Sequence, residues 1–169
     1  FIPDAPSYNA SPSEKELFAR LDELAALRSI VGNLPLASPI KRGEMQSGFG
    51  RRIDPFNGRL AFHSGLDIAG PGGSRIFSTA DGTVTSAGEH SNYGNSVDVD
   101  HGHGIVTRYA HLSQIIAKKG QKVRKGDLLG IQGSTGRSTG AHLHYEVRYR
   151  GQPMNPKKFL EAGRYVSQE

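Results

Sequence analysis

Val97-Asp98-Val99-Asp100-His101-Gly102-His103-Gly104-Ile105-Val106-Thr107-Arg108-Tyr109-Ala110-His111 is the stretch whose reading decides the fold. Valines alternate with aspartates over 97–100, the period-two pattern of a half-buried strand. Gly102 and Gly104 then mark a hairpin turn. Ile105 to His111 reads as the return strand. Two such strands joined by a short glycine turn must pair antiparallel.

Outward from this hairpin the texture repeats. Gly82 to Ala87 reads as a strand, Lys125-Gly126-Asp127 as a turn and Leu128 to Gln132 as another strand. Gly133 to Gly140 is a glycine and serine/threonine loop. His142 to Arg150 alternates again and stops at Gly151. Asn155 caps a short C-terminal helix with Pro156 at its first position. The expected fold is mainly β: an antiparallel sheet over residues 36–169 with a short C-terminal helix.

Residues 1–35 form a separate helical segment in this reading. Residues 1–12 look irregular. Ser13 and Glu16 fit a capping box. Leu17, Leu21, Leu24, Leu27 and Val31 then recur at three or four residues, one apolar stripe. Gly32, Asn33 and Pro35 end the helix. The stripe suits either a helix packed on the domain or the tail of a coiled coil. It could also dock an envelope protein or cover a cleft.

Composition narrows the chemistry. The 169 residues suit one domain with an appendage. There is no cysteine, which excludes disulfides and thiolate zinc sites. Any metal must be held by His, Asp or Glu. No run approaches the roughly 20 apolar residues of a membrane helix. Phe1-Ile2-Pro3-Asp4 does not read as a signal peptide, consistent with a chain that starts partway into a longer product. With 21 Lys and Arg against 16 Asp and Glu, the net charge of +5 suits an anionic partner such as nucleic acid, lipid or wall polymer. The aromatic-basic interleaving of a nucleic-acid module is missing.

Five polar residues stand out. His63-Ser64-Gly65-Leu66-Asp67 offers an imidazole and a carboxylate around a glycine, which suits a bent loop rather than a helix. His142-Leu143-His144 puts two imidazoles on one strand face. His63, Asp67 and His144 form a suitable ligand set for zinc, with a fourth position left for water. His111 and His142 have the right chemistry to move protons near pH 7. His111 shares the strand alternation of Thr107 and Tyr109. His101-Gly102-His103 repeats the His-x-His spacing, but its glycines place it in a turn. No HExxH is present, so no helix-borne glutamate base is on offer.

Phe62-His63-Ser64-Gly65-Leu66-Asp67, Tyr109-Ala110-His111-Leu112-Ser113 and Gly133-Ser134-Thr135-Gly136-Arg137-Ser138-Thr139-Gly140-Ala141-His142-Leu143-His144-Tyr145-Glu146-Val147 together resemble the lysostaphin/LytM-type zinc endopeptidases. Ser47-Gly48-Phe49-Gly50-Arg51-Arg52 and Ala80-Asp81-Gly82 match as well. The resemblance covers roughly residues 36–163. It implies a LytM-type domain in which His63, Asp67 and His144 bind zinc and His111 and His142 are catalytic. It implies the peptide cross-links of bacterial peptidoglycan as substrate. Some such enzymes cut D-alanyl-diaminopimelate bonds, others glycyl-glycine bridges, and some relatives only activate other wall hydrolases. The texture of this chain favours a D,D-endopeptidase of the periplasm or envelope of a Gram-negative bacterium. Val123 to Gly130 also has the glycine-turn texture of a lipoyl or biotinyl carrier, a reading that leaves the histidines unexplained. Ser74-Arg75 stands where the family often has Thr-Pro, and Ala141 where it often has Pro.

Overall fold

The structure, a computed structural model, describes residues 11–166. The first ten residues of the segment expected to be irregular, the Phe1 reading among them, lie outside these. So do the last three residues of the chain.

The first helix, α1 (Pro12–Gly32), starts earlier than the sequence suggests. Ser11, not Ser13, is its cap. The Ser11 N–H donates to the Glu14 carboxylate at 2.8 Å, and the Ser11 hydroxyl lies 3.4 Å from the Glu14 N–H it accepts. This reciprocal box displaces the Ser13–Glu16 pairing because it puts Pro12 at the first helical position. There a missing N–H is no loss and a fixed φ already suits the helix. No residue of α1 is buried, and Leu17, Leu21, Leu24, Leu27 and Val31 are all exposed. The unit containing α1 ends at Gly32, and a second unit begins at Asn33.

The second unit is built on antiparallel strands. In chain order they are β1 (Glu44–Ser47), β2 (Gly50–Ile53), β3 (Leu60–His63), β4 (Leu66–Ala69), β5 (Arg75–Phe77), β6 (Gly82–His90) and β7 (Gly94–Asp100). Then come β8 (Ile105–Ile115), β9 (Lys122–Val123), β10 (Leu128–Gln132), β11 (Leu143–Tyr149), β12 (Gln152–Met154) and the helix α2 (Pro156–Val166). The main sheet runs β1-β4-β11-β8-β7-β6-β9, with β10 joining β5 to β8 and β12 flanking β11. β2 and β3 form a separate two-stranded ribbon. The Asn155 side chain accepts from the Lys157 N–H at 3.1 Å, the expected cap of α2.

The core explains which face carries polar chemistry. Leu143, Tyr145 and Val147 of β11 are buried against Val97, Val99, Tyr109 and Leu129. Strand alternation therefore sends His142, His144 and Glu146 to the other face. That face is buried too, so β11 has an apolar side and a polar side, both screened from water. Within the core, the Tyr109 and Tyr145 hydroxyls meet Thr79 Oγ1 at 2.9 and 3.1 Å.

Strand β8 departs from simple alternation. Val97 pairs with Tyr109 and Asn95 with Leu112, so Ala110 and His111 together stand against Ser96. This is a β-bulge, and His111 takes a left-handed φ of 60° to make it. The expectation that His111 shares the face of Thr107 and Tyr109 is therefore corrected. Those two are fully buried on the core side, whereas the extra residue swings His111 to the opposite face and returns Leu112 to the core. The 101–104 turn has positive φ at Gly102, His103 and Gly104. His101 sits beneath it, its Nδ1 donating to the Asp81 carbonyl at 2.7 Å and its Nε2 lying 2.7 Å from Thr107 Oγ1. It is a structural residue, and burial pushes its pKa down.

Candidate active site

Four strands bring the polar residues together. β3 and β4 meet at a tight corner, Ser64-Gly65, which turns His63 and Asp67 toward β11. A side chain at position 65 would collide with the Tyr145 carbonyl, at 2.5 Å, so only glycine lets the corner press this close. β4 then pairs with β11 so that Asp67 lies opposite His144. On the other side of β11, His144 lies opposite Ala110, next to the bulged His111. All five residues named from the sequence reach this one place, each between 5% and 7% exposed.

Three ligand atoms converge. His63 Nε2 is 3.0 Å from Asp67 Oδ1 and 3.1 Å from His144 Nδ1, and His144 Nδ1 is 2.8 Å from Asp67 Oδ1. Their tautomers follow from the outer partners. His63 Nδ1 lies 2.7 Å from the Gly48 carbonyl and must donate to it, which leaves Nε2 as a lone pair. His144 Nε2 donates to Glu146 Oε1 at 3.0 Å, which leaves Nδ1 as a lone pair. Three acceptors thus face one another with no proton of their own between them. That donor set fits a divalent cation, and the group can hold a metal ion.

The electrostatics agree. Burial pushes the His144 pKa down, but the Asp67 and Glu146 carboxylates on either side outweigh it and raise it. Burial pushes Asp67 up, yet the His144 and His63 rings beside it, when they carry charge, hold it well below the usual carboxylate range. The site is therefore organised around positive charge.

Two contributors carry no role in the sequence reading. Arg52 Nη2 donates to Asp67 Oδ2 at 3.1 Å, leaving Oδ1 for the ligand cluster. Glu146 is fully buried, yet burial is outweighed by its hydrogen bonds with His144 and Ser64, and its pKa falls to about 2. It also accepts from the Tyr93 hydroxyl at 2.9 Å and Arg148 Nε at 2.7 Å. A carboxylate behind a ligating histidine fixes ring orientation and tautomer. Period two from His142, just before β11, through His144 to Glu146 is the signal that points to it.

His111 and His142 stand beside the cluster with ring centres 4.9 Å apart. His111 Nδ1 donates to the Thr135 carbonyl and His142 Nδ1 to the Gly140 carbonyl, each at 2.8 Å. Both rings thus keep Nε2 as an acceptor. His142 Nε2 is 3.6 Å from Asp67 Oδ1. Burial is the main reason His111 has its pKa lowered to about 4, so it is neutral at pH 7. The Thr135 carbonyl is placed by a close crossing in which Gly94 and Gly136 touch backbone to backbone. The whole cluster opens into a groove of about 270 Å³, walled by Arg52, Asp54 and Phe56 on one side and Arg137 and Thr139 on the other. Neither departure from the family pattern breaks this layout: Ser74 closes a turn on Pro71, and Ala141 sits exposed before His142.

Comparison with known proteins agrees with this fold. The model of Peptidase family M23 matches residues 61–156. The peptidoglycan DD-endopeptidase ShyA of Vibrio cholerae is 47% identical over 108 residues, which are 64% of this chain and 25% of that protein. A zinc-containing peptidase from Vibrio cholerae superposes with a TM-score of 0.64 at 39% identity, covering 73% of this chain and 38% of that one. The catalytic domain of the antimicrobial peptidase lysostaphin from Staphylococcus simulans gives 0.65 at 28% identity, covering 70% and 92%. The chain spans about a quarter of the length of the curated relatives it matches.

Proposed function

The chain belongs to peptidase family M23, and from that premise we propose that it is a zinc endopeptidase. Its substrate in this reading is the peptide cross-link of bacterial peptidoglycan, cut as a D,D-endopeptidase at D-alanyl-diaminopimelate bonds. The observation that carries the proposal is the convergence of three inward-facing acceptors beside two histidines with free Nε2 atoms, at the floor of one groove. Similarity to ShyA supports the substrate class and the envelope of a Gram-negative bacterium as the place of action.

In this proposal His63, Asp67 and His144 hold the ion. Zinc, when bound, supplies a Lewis acid that polarises a carbonyl and brings the pKa of water from about 15.7 toward 7. Arg52 and Glu146 hold the ligands in place. His111, neutral at pH 7, accepts a proton at Nε2 from the attacking water. His142, its Nε2 equally an acceptor, shares this task, and whichever ring has taken the proton steadies the developing oxyanion as a donor and returns that proton to the leaving amine. The Thr135 and Gly140 carbonyls keep both rings turned the right way.

The test is a digest of purified cross-linked peptidoglycan by the zinc-loaded protein, with and without a chelator, followed by mass analysis of the fragments. Chelator-sensitive loss of dimeric muropeptides is expected. Absence of both bound metal and cleavage would overturn the enzymatic reading in favour of a wall-binding activator.

A further inference from the structure

One groove feature is not used by the chemistry above. Asp54, between β2 and β3, and Arg137, between β10 and β11, join the two walls. Arg137 Nη2 donates to both Asp54 oxygens, at 3.0 and 2.8 Å. The guanidinium also lies over the Phe56 ring, 4.5 Å from its centre.

Each part of this clasp is itself held. The Phe56 N–H donates to Asp54 Oδ1 at 2.8 Å, and the Arg137 N–H donates to the Asn92 carbonyl at 2.8 Å. Neither wall is a loose loop tip. Both bonds to Asp54 leave from one nitrogen. Nε and Nη1 of Arg137 carry no bond to any described residue, and the side chain is 40% exposed. A guanidinium pinned at Nη2, stacked on one face and left with three N–H donors on Nε and Nη1 is preformed to donate to a second carboxylate, through single charge-assisted bonds because both bidentate edges share the engaged Nη2. Exposed arginines ordinarily lose side-chain entropy on gripping a ligand. This one is already ordered.

We infer that Arg137, fixed by Asp54 and Phe56, forms a carboxylate-binding subsite that recognises the acid group next to the scissile amide. This inference rests on the peptidoglycan reading of the site. In a D-alanyl-diaminopimelate cross-link the carbon bearing the scissile nitrogen also bears a free carboxylate. A glycyl-glycine bridge has none there. Arg52, on the same wall as Asp54, adds a second positive charge to the groove. The subsite would therefore select the first bond over the second.

The experiment uses the zinc-loaded protein and two synthetic cross-linked peptides, identical except that this carboxylate is free in one and a carboxamide in the other. The wild type is expected to favour the free acid by about tenfold or more in kcat/KM, mostly through KM, the weight of one charge-assisted hydrogen-bonded pair. In Arg137→Ala that ratio falls to about one. In Arg137→Lys, which keeps the charge without the stacked, fixed plane of donors, it falls between. Circular dichroism and metal content establish that both variants are folded and loaded. A wild type that cuts both peptides alike, or an Arg137→Ala that keeps the preference, removes the subsite and leaves the peptidoglycan reading intact. A wild type that cuts neither removes that reading, and the subsite falls with it.

Discussion

Replacing Glu146 with glutamine tests the logic of the site more directly than removing a ligand. Glu146 Oε1 accepts from His144, Ser64 and Tyr93, and its Oε2 takes Arg148 Nε at 2.7 Å and Nη2 at 2.6 Å. An amide is nearly isosteric but has only one acceptor. If its oxygen faces His144, its NH₂ faces two Arg148 donors. Two charge-assisted bonds are lost, and the half-buried arginine head keeps only its bond to the Tyr93 hydroxyl, a cost of about 2 kcal/mol. If the amide turns over, its NH₂ faces His144 Nε2, the ring must shift its proton to Nδ1, and the ligand lone pair disappears. Loss of such an outer partner lowers metal affinity by about 10–100-fold. The variant cannot satisfy both neighbours. Denaturant melts in chelator, combined with competitive zinc titration, should show one loss or the other. A Glu146→Gln protein unchanged in both would refute the argument.

Other outcomes follow from the same geometry. His144→Ala should empty the metal site, and full zinc occupancy by elemental analysis would exclude it as a ligand; His111→Ala should keep zinc and lose about 100-fold or more in turnover, with unchanged turnover removing it from the mechanism. Because His111 has its pKa lowered from 6.5 to about 4, the unfolded chain binds the extra proton first as pH falls. Its contribution to stability is thus intact above pH 6.5 and is lost on the way down to 4. Relative to His111→Asn, the metal-free wild type should lose up to about 2 kcal/mol over that window, once water at the groove mouth is allowed for; parallel pH–stability curves would contradict the burial of a neutral ring. Gly94→Ala, at φ 60°, would put a Cβ 2.4 Å from the Thr135 backbone. It should cost about 3 kcal/mol in denaturant melts and lower activity by moving the carbonyl that holds His111; an alanine variant that melts like the wild type would show the crossing to be loose.

The hairpin at residues 97–111 was legible because its two strands alternate and its turn is built of glycines. The shared face of His142 and His144 was legible for the same reason. What alternation could not reveal was where it is interrupted. Nothing local in Tyr109-Ala110-His111 announces an extra residue, because the bulge exists only relative to Ser96 on the neighbouring strand. The capping error at Ser13 came from two serines two residues apart, either able to cap; Pro12 decides between them. Glu146 went without a role because its partners, Ser64 and Tyr93, are 82 and 53 residues away. The Asp54–Arg137 clasp spans 83 residues and depends on how the β2–β3 ribbon is placed beside the groove.

The bulge on β8 makes that strand unforgiving of changes in length. Deleting one residue between Tyr109 and Leu112 would restore regular pairing with β7 and would keep Leu112 in the core, but it would leave one outward position opposite Ser96 where there are now two. If Ala110 were lost, His111 would have to stand directly opposite His144, where the small alanine now leaves room for the ligand's ring. A single insertion elsewhere in β8 would demand a second bulge or turn every side chain beyond it to the wrong face. A comparison of relatives should therefore find β8 closed to single-residue gaps, with length variation displaced into the 101–104 turn.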